Sequence, residues 1–158
     1  MKKVILIVED LIDEQEKAKA VVNCLNLKPI VASNLDQAKM LVKKIPHLIR
    51  GIITDIHFPI DEKSDTSHQP NGLAVIALAV KLGIPVSVCS DINGHFAFFV
   101  KDVTKVLEEN PNCFGHEIPV TVGDKNWQTA INELENLIRS NPSQTEGIGK
   151  KGERPLKV

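Results

Sequence analysis

The sequence predicts an α/β protein, (βα)₅, in which a doubly wound parallel sheet of five strands forms a single domain. Short continuous apolar runs alternate with longer amphipathic segments along the chain, and this order is typical of parallel sheets with right-handed helical crossovers. The 158 residues are enough for one domain with a substantial core. We expect residues 1–140 to form this domain and residues 141–158 to form a flexible tail, because apolar periodicity ends after Ser140.

The strands are predicted from short apolar runs. The first, Lys3 to Val8, is continuous and rich in β-branched residues, as expected for a strand buried on both faces. The other runs are Pro29 to Ala32, Ile52 to Thr54, Pro85 to Cys89 and Ile118 to Val122. None approaches the roughly 18 apolar residues of a membrane span. Glu9 and Asp10 follow the first run directly, which does not fit a secretory signal. We therefore expect a cytoplasmic protein.

Helices are predicted between the strands from apolar residues at helical spacing. The expected apolar faces are Leu11, Ala18, Val21, Val22 and Leu25 in the first helix; Leu35, Ala38, Met40, Leu41 and Ile45 in the second; Phe96, Phe99, Val100, Val103 and Val106 or Leu107 in the fourth; and Trp127, Ala130, Ile131, Leu134, Leu137 and Ile138 in the fifth. The third helix, Leu73 to Leu82, is apolar almost all round, which indicates deep packing. Ser33 or Asn34 can cap the second helix, and the polar stretch Pro59 to Asn71 predicts a long loop.

The charge balance excludes some classes of partner. The formal net charge is −1 and no basic patch stands out in the predicted domain. Neither nucleic acid nor an acidic membrane surface is therefore an expected partner. The three cysteines, Cys24, Cys89 and Cys113, have no metal-ligand or redox-motif spacing, and we expect reduced thiols.

Polar and charged side chains follow four of the predicted strands. Glu9 and Asp10 follow the first, Asp55 the third, Ser90 and Asp91 the fourth, and Lys125 comes shortly after the fifth. Taken singly, each has a structural alternative as a helix cap or a solvated side chain. The carboxyl ends of parallel strands meet at one edge of the sheet, however, and clustered carboxylates there repel one another unless a cation neutralises them. Because Mg²⁺ prefers carboxylates, a carbonyl and waters, the pattern predicts a magnesium site at this edge.

In their order and spacing these segments resemble the receiver domain of bacterial response regulators, over about residues 2 to 139. Val8-Glu9-Asp10 is similar to the acidic pair of that family, and Thr54-Asp55-Ile56-His57-Phe58-Pro59 is similar to its phosphoacceptor segment. Asn71-Gly72-Leu73 matches the start of the third helix, and Ile84 to Ser90 matches the fourth strand with its terminal hydroxyl. The resemblance implies the flavodoxin-like form of the (βα)₅ fold.

The resemblance also implies roles in two-component, phosphorelay signal transduction. Asp55 would be the phosphoacceptor, modified by a histidine kinase or phosphotransfer protein in a Mg²⁺-dependent reaction. Glu9, Asp10, Asp55 and the backbone carbonyl of His57 would hold the metal. Ser90 would hydrogen-bond the phosphoryl group, and Lys125 would pair with it. Enzymic activity would be limited to autophosphorylation and slow self-dephosphorylation, and the output would be contact with a downstream protein that the sequence does not identify.

Two alternatives stay open. Departures from the family pattern favour a degenerate receiver that acts as a phosphorylation-independent interaction module. They are a lengthened Asp61–Gln69 loop, Asp91 in place of a small residue, Val122 in place of an aromatic and Asn126 in place of proline. A metal-dependent phosphohydrolase or nuclease-like enzyme is the other alternative, although the sequence shows no second metal-binding pair. A phosphorylation switch at Asp55 requires the Glu9-Asp10 turn to lie beside Asp55. It also requires that no fixed cationic side chain fills the gap between these carboxylates.

Overall fold

Five short apolar strands lie parallel in one sheet in the computed structural model, which describes residues 3–113 and 116–141. The strands are β1 (Val4–Val8), β2 (Lys28–Ala32), β3 (Ile49–Thr54), β4 (Val86–Cys89) and β5 (Val120–Thr121). Their order in the sheet is β2-β1-β3-β4-β5, so the strand order reverses between β1 and β3. This order confirms the flavodoxin-like (βα)₅ prediction. Apart from Asn141, the predicted tail lies outside the described residues.

Helices cover both faces of the sheet. They are α1 (Ile12–Cys24), α2 (Leu35–Lys44), α3 (Gly72–Leu82), α4 (Gly94–Glu108) and α5 (Trp127–Ser140). Helices α1 and α5 pack on one face, and α2, α3 and α4 pack on the other. Within the described residues, no helix combines the length and the apolar character needed to cross a bilayer.

The central strand β1 shows why its apolar run is continuous. All five of its residues are buried. Ile5 and Ile7 pack with the apolar side chains of α1 and α5, while Leu6 and Val8 pack with those of α2, α3 and α4. Because successive side chains of a strand point to opposite faces, a strand covered on both faces needs apolar residues at every position.

Two strands differ in length from the prediction by three residues, and the other three differ by one. β3 begins at Ile49, three residues before the predicted start at Ile52, and it includes Gly51, which lies against α5. A β carbon on Gly51 would lie 3.0 Å from Leu134 Cδ2, so this glycine marks close packing of a helix on the strand rather than a turn. β5 is shorter than predicted, with only Val120 and Thr121 in the ladder. Pro119 precedes it and cannot donate a ladder hydrogen bond.

The predicted helix faces are correct in part. Asn34 caps α2 by accepting a hydrogen bond from the Gln37 N–H at 2.8 Å, and the buried face of α5 contains the predicted Trp127, Ala130, Ile131, Leu134 and Ile138. Three predicted core residues are instead exposed: Leu11, Met40 and Phe99. Of the alternatives Val106 and Leu107, it is Leu107 that packs against the core. In α4 the residues that face the core are Ala97, Val100 and Thr104. The fully buried stripe of α4 is therefore narrow. Phe96 and Leu107 pack partly against the core beside it, while Phe98, Phe99 and Val106 are exposed.

The long loop between β3 and α3 has a structural role that the sequence did not indicate. The backbone oxygens of Pro59 and Ile60 accept hydrogen bonds from the Leu35 and Asp36 N–H groups, at 3.0 and 2.9 Å. These N–H groups belong to the first turn of α2, where a helix has no acceptors of its own. The loop therefore closes the N-terminus of α2 and is held against it.

The first residue of α3 gives a prediction about stability. A β carbon on Gly72 would lie 2.1 Å from the backbone oxygen of Asp55 and 2.7 Å from Ile56 Cα. Gly72→Ala must therefore push α3 away from the segment that carries Asp55. We expect the free energy of unfolding, measured by urea denaturation, to fall by about 3 kcal/mol, at the upper end of overpacking costs.

The matched control is Gly94→Ala at the first residue of α4. A β carbon there meets no atom within 4 Å, and only the positive φ of +54° opposes it, at a cost of about 1 kcal/mol. Equal losses in the two variants would contradict the close approach of α3 to Asp55.

Candidate functional site

The sheet brings the carboxyl ends of three strands to the same level. Val8 pairs with Thr54, and Thr54 pairs with Val88. The sheet hydrogen bonds continue beyond the strands, because the Asp55 N–H donates to Val8 O at 2.9 Å and the Ser90 N–H donates to Thr121 O at 3.0 Å. The backbone of Asp55 and Ser90 is therefore fixed by the sheet itself rather than by mobile loops.

Three carboxylates converge at this edge, as the sequence predicted. One carboxylate oxygen from each of Glu9, Asp10 and Asp55 lies within 4.8 Å of the other two. Glu9 and Asp55 are buried, at 0% and 2% exposed, whereas Asp10 is partly exposed. Asp91 was expected to add a charge beside this group, but it is exposed and outside it. The site therefore has a buried acidic floor with one more accessible carboxylate.

The ammonium of Lys125 lies between two of these carboxylates. Its Nζ atom donates to Glu9 Oε2 and to Asp55 Oδ2, both at 2.7 Å, and the lysine side chain is only 9% exposed. The structure thus brings Lys125 to Asp55 as predicted, but it also places a cation in the gap that the switch required to be open. A divalent ion at this site must compete with Lys125 for at least one carboxylate oxygen.

The other oxygen of Asp55 accepts two hydrogen bonds. The Ile56 N–H and the Ser90 hydroxyl both donate to Oδ1 at 2.6 Å. With Lys125 on Oδ2, both oxygens of this buried carboxylate have donors. These contacts stabilise the charged carboxylate where water has little access. They also place Ser90 within one hydrogen bond of the predicted phosphoacceptor.

Burial and pairing shift the pKa values of the ion pair in the same direction. Burial raises the pKa of Glu9 from its ordinary 4.5 to about 7, although the hydrogen bonds from Lys125 and from the Leu11 N–H oppose this change. Burial alone would lower the pKa of Lys125, but the hydrogen bonds and charges of Asp55 and Glu9 outweigh it and raise that pKa. The lysine is therefore charged at any physiological pH, while Glu9 can titrate near neutrality.

The donor set fits a small oxygen-preferring divalent cation. Three carboxylate oxygens from Glu9, Asp10 and Asp55 lie within 4.8 Å of one another, and carboxylate oxygens are the ligands that Mg²⁺ prefers. Three carboxylates against one ammonium leave an excess of negative charge in the site, even when Lys125 is in place. The Lys125 ammonium therefore weakens metal binding, but the remaining negative charge still attracts a divalent cation.

Two contacts outside the predicted set hold the Glu9 turn. The Gln15 side chain donates to the backbone oxygen of Glu9 at 2.8 Å and to Ser33 Oγ at 3.1 Å. The Leu11 N–H donates to Glu9 Oε1 at 2.9 Å. Nothing in the sequence distinguishes Gln15 from an ordinary exposed residue of a helix, since its partners are set by the packing of α1 against the β2–α2 connection.

The segment after Asp55 is anchored by the start of α3 and by α4. The Gly72 N–H donates to Ile56 O at 2.9 Å, and the Asn71 side chain donates to Phe58 O at 2.6 Å. The His57 ring stacks on Phe96 of α4 with centroids 4.9 Å apart. These contacts fix the backbone of the segment, and the predicted metal ligation by the His57 carbonyl stays a prediction.

The raised pKa of Glu9 predicts a pH-dependent stability. A carboxylate whose pKa is about 7 when folded and near 4.5 when unfolded favours the folded state below pH 4.5 and loses that contribution as the pH rises through 7. Glu9→Gln does not titrate, so it lacks this loss. Relative to wild type, its free energy of unfolding should rise by on the order of 3 kcal/mol between pH 4 and pH 8.

The measurement is urea denaturation at a series of pH values across that range. Glu16→Gln, which removes an exposed carboxylate from α1, is the control and should remain parallel to wild type. A Glu9→Gln curve that is also parallel to wild type would show that Glu9 does not titrate in this window.

Solved receiver domains share this fold over most of the chain. A response regulator receiver domain protein from Clostridium thermocellum matches with a TM-score of 0.65 and 15% identity, covering 89% of this chain and 97% of that one. The signal receiver domain of a putative LuxO repressor protein from Vibrio parahaemolyticus matches with a TM-score of 0.66 and 13% identity, covering 95% and 100%. Chemotaxis response regulator CheY4 of Vibrio cholerae matches with a TM-score of 0.62 and 14% identity, covering 87% and 99%.

The similarity is one of structure, because no family model and no curated protein matches the sequence. Identities of 13 to 15% support the fold alone. The fold, the strand order and the acidic edge agree with the resemblance found in the sequence. The chain therefore has the fold of response-regulator receiver domains.

Proposed function

We propose that the chain is a response-regulator receiver in which Asp55 accepts a phosphoryl group. The observation that carries the proposal is the arrangement around Asp55, which is buried with the Ser90 hydroxyl at one oxygen and the Lys125 ammonium at the other. A carboxylate can approach a negatively charged phosphoryl donor only if fixed positive charge screens their repulsion. Lys125 provides such a charge at hydrogen-bonding distance.

The transfer would form a bond between an Asp55 oxygen and phosphorus while the bond from phosphorus to the donor atom breaks. Ser90 is placed to donate its hydroxyl to a phosphoryl oxygen instead of to Asp55 Oδ1. Lys125 now donates to Asp55 Oδ2, and its ammonium would pair with the phosphoryl oxygens after the transfer. The sheet fixes the backbone of Asp55 and Ser90, and such positioning supplies much of the rate in phosphoryl transfer.

Mg²⁺ is the proposed cofactor, and it would supply positive charge that screens the repulsion between Asp55 and the phosphoryl donor. Glu9, Asp10, Asp55 and the His57 carbonyl would hold it. Lys125 occupies Glu9 Oε2 and Asp55 Oδ2. The proposal therefore requires that this lysine is not fixed, so that its ammonium can release at least one of these oxygens to the metal. Asp10 is partly exposed and gives the cation a way in from solvent.

The proposed phosphodonor is a histidine kinase or phosphotransfer protein, and the proposed output is a changed contact with a downstream protein. The switch would work only if the phosphoryl group stabilises the active conformation more than the inactive one. A difference of about 5.5 kcal/mol would change the ratio of active to inactive molecules from 1:99 to 99:1.

A phosphorylation-independent interaction module is the second candidate, and one observation favours it. Lys125 satisfies Glu9 and Asp55 together, while Ile56 and Ser90 satisfy the remaining oxygen of Asp55. A site whose buried charges are already paired is stable without a metal or a phosphoryl group. No comparable observation favours a phosphohydrolase or nuclease, since the described residues contain no second group of three metal-ligating side chains.

Phosphorylation at Asp55 is tested by incubation with Mg²⁺ and acetyl phosphate, followed by intact-mass measurement. We expect the wild type to gain the mass of one phosphoryl group and Asp55→Asn to gain none, because the amide is not a nucleophile of this kind. The Asp91→Asn variant, which changes an exposed carboxylate near the same edge, is the matched control and should be modified like wild type. An unmodified wild type that binds no beryllofluoride would favour the second candidate.

Competition between Lys125 and the metal gives a separate prediction. Lys125→Met frees two carboxylate oxygens and removes a positive charge, so Mg²⁺ should bind it roughly tenfold more tightly than wild type, as close charge pairs in a partly screened site imply. Isothermal titration calorimetry measures the two affinities. Lys19→Met, which removes a partly exposed lysine of α1 that pairs with Glu16, should bind Mg²⁺ as wild type does. An equal or weaker affinity in Lys125→Met would contradict competition for shared oxygens.

A further inference from the structure

Lys125 reaches the buried carboxylates from a short and largely exposed connection between β5 and α5. β5 has only two residues, and Gly123 and Asp124 are exposed. The Gly123 N–H donates to Ile92 O at 3.0 Å, and the Asn126 N–H donates to Asp124 O at 2.7 Å. Asn126 also caps α5 by accepting a hydrogen bond from the Thr129 N–H at 3.0 Å. Of these three contacts, only the one from Gly123 reaches a residue outside the loop and α5. Holding an ammonium within 2.7 Å of two oxygens requires a firmer anchor next to it.

The residue two positions after Lys125 provides such an anchor. Trp127 is the first residue of α5 and is 3% exposed. Its indole N–H donates to Glu14 Oε2 of α1 at 2.7 Å. A buried indole N–H needs an acceptor, and a carboxylate is a strong one. This contact ties the end of the Lys125 loop directly to the first turn of α1.

The Glu14 carboxylate is itself held in place. Lys17, one turn further along α1, donates to Glu14 Oε1 at 2.6 Å, which leaves Oε2 for Trp127. Burial opposes the charge on Glu14, but the hydrogen bonds from Lys17 and Trp127 outweigh it and lower the pKa of this carboxyl. Glu14 is therefore a charged acceptor, fixed in orientation, at neutral pH.

We propose that the Glu14–Trp127 hydrogen bond positions Lys125 between Glu9 and Asp55. Two consecutive residues of α1 then hold the acid and the cation of the ion pair. Gln15 holds the Glu9 backbone, and Glu14 holds the loop that carries Lys125. Helix α1 sets the distance between acid and cation, although it contributes neither. Only the consequence for phosphoryl transfer rests on the proposed function, and the positioning itself is independent of it.

A purely apolar role for Trp127 is the competing explanation. Its ring packs with the core on the α1 and α5 face of the sheet, which includes Ile5 and Ile131. That packing fixes the start of α5 but makes no use of the indole N–H. The two explanations differ in the effect of removing the acceptor at Glu14, which leaves the ring and its packing unchanged.

The experiment follows the Lys125 ammonium by ¹⁵N-edited NMR, with neither metal nor phosphate present. Ammonium groups held by carboxylates exchange their protons with water slowly, and loss of the signal in Lys125→Met assigns it. Glu14→Ala removes the acceptor, Glu14→Gln keeps an acceptor oxygen, and Glu16→Ala is the matched control on an exposed position of the same helix. Fluorescence of Trp127, the single tryptophan, reports whether its hydrogen bond is lost.

We expect Glu14→Ala to shift the Trp127 emission and to speed the exchange of the Lys125 ammonium about tenfold, the change that losing one hydrogen bond to a charged group produces. Glu14→Gln should stay within about twofold of wild type, and Glu16→Ala should match it. Trp127→Phe should speed the exchange as Glu14→Ala does, and the double variant should add nothing, since both remove one contact.

Three outcomes would overturn the proposal. The first is a shifted Trp127 emission in Glu14→Ala with unchanged exchange at Lys125, which would leave the contact a structural one. The second is no change at either residue, which would show that the hydrogen bond is absent in solution. The third is a wild-type spectrum without a Lys125 signal, because the ammonium would then not be held. None of these results depends on whether Asp55 is phosphorylated.

Discussion

The ion pair between the Lys125 ammonium and the Glu9 and Asp55 carboxylates is the interaction on which the functional edge of this domain depends. Two carboxylates that are nearly inaccessible to water lie side by side, and without a cation their mutual repulsion and desolvation would be costly. Lys125 supplies that cation from a residue 116 positions away from Glu9. The pair therefore ties the first and last β–α connections of the chain to the third, and it determines where Asp55 can meet a ligand.

A divalent cation from solvent would have to compete with the Lys125 ammonium for the same carboxylate oxygens. Lys125 pairs with both buried acids, so it compensates part of their charge without a metal. The remaining negative charge would favour binding of a divalent ion, and the lysine would then have to give up a partner. A site built in this way has two alternative arrangements of charge, and a phosphoryl group at Asp55 would favour the one in which Lys125 has left Glu9. The neighbouring contacts of Ser90 and Ile56 keep Asp55 in place in both arrangements.

The sequence predicted the fold and the residues of the edge, because both follow from short-range patterns. A continuous apolar run followed by an acid, as in Val8-Glu9, indicates a buried strand and the residue beyond its end.

The features that the sequence did not predict depend on packing between distant segments. The predicted third strand, Ile52 to Thr54, did not include Gly51, although α5 packs closely on the strand at this residue. Phe99 was placed in the core by its spacing, but the sheet accepts only a narrow stripe of α4. The position of Lys125 between two acids, and the Trp127–Glu14 contact that supports it, involve chain separations over which no sequence pattern operates.

The most direct test of this account is a pair of high-resolution crystal structures, one without divalent ions and one with Mg²⁺ and beryllofluoride. The account predicts that the first shows Lys125 Nζ within hydrogen-bonding distance of both Glu9 and Asp55. In the second, the ammonium should have left Glu9 and contact the fluoride at Asp55, with the cation beside Asp10. A metal-free structure with Lys125 directed into solvent would contradict the central claim, because the buried carboxylates would then have another source of stabilisation.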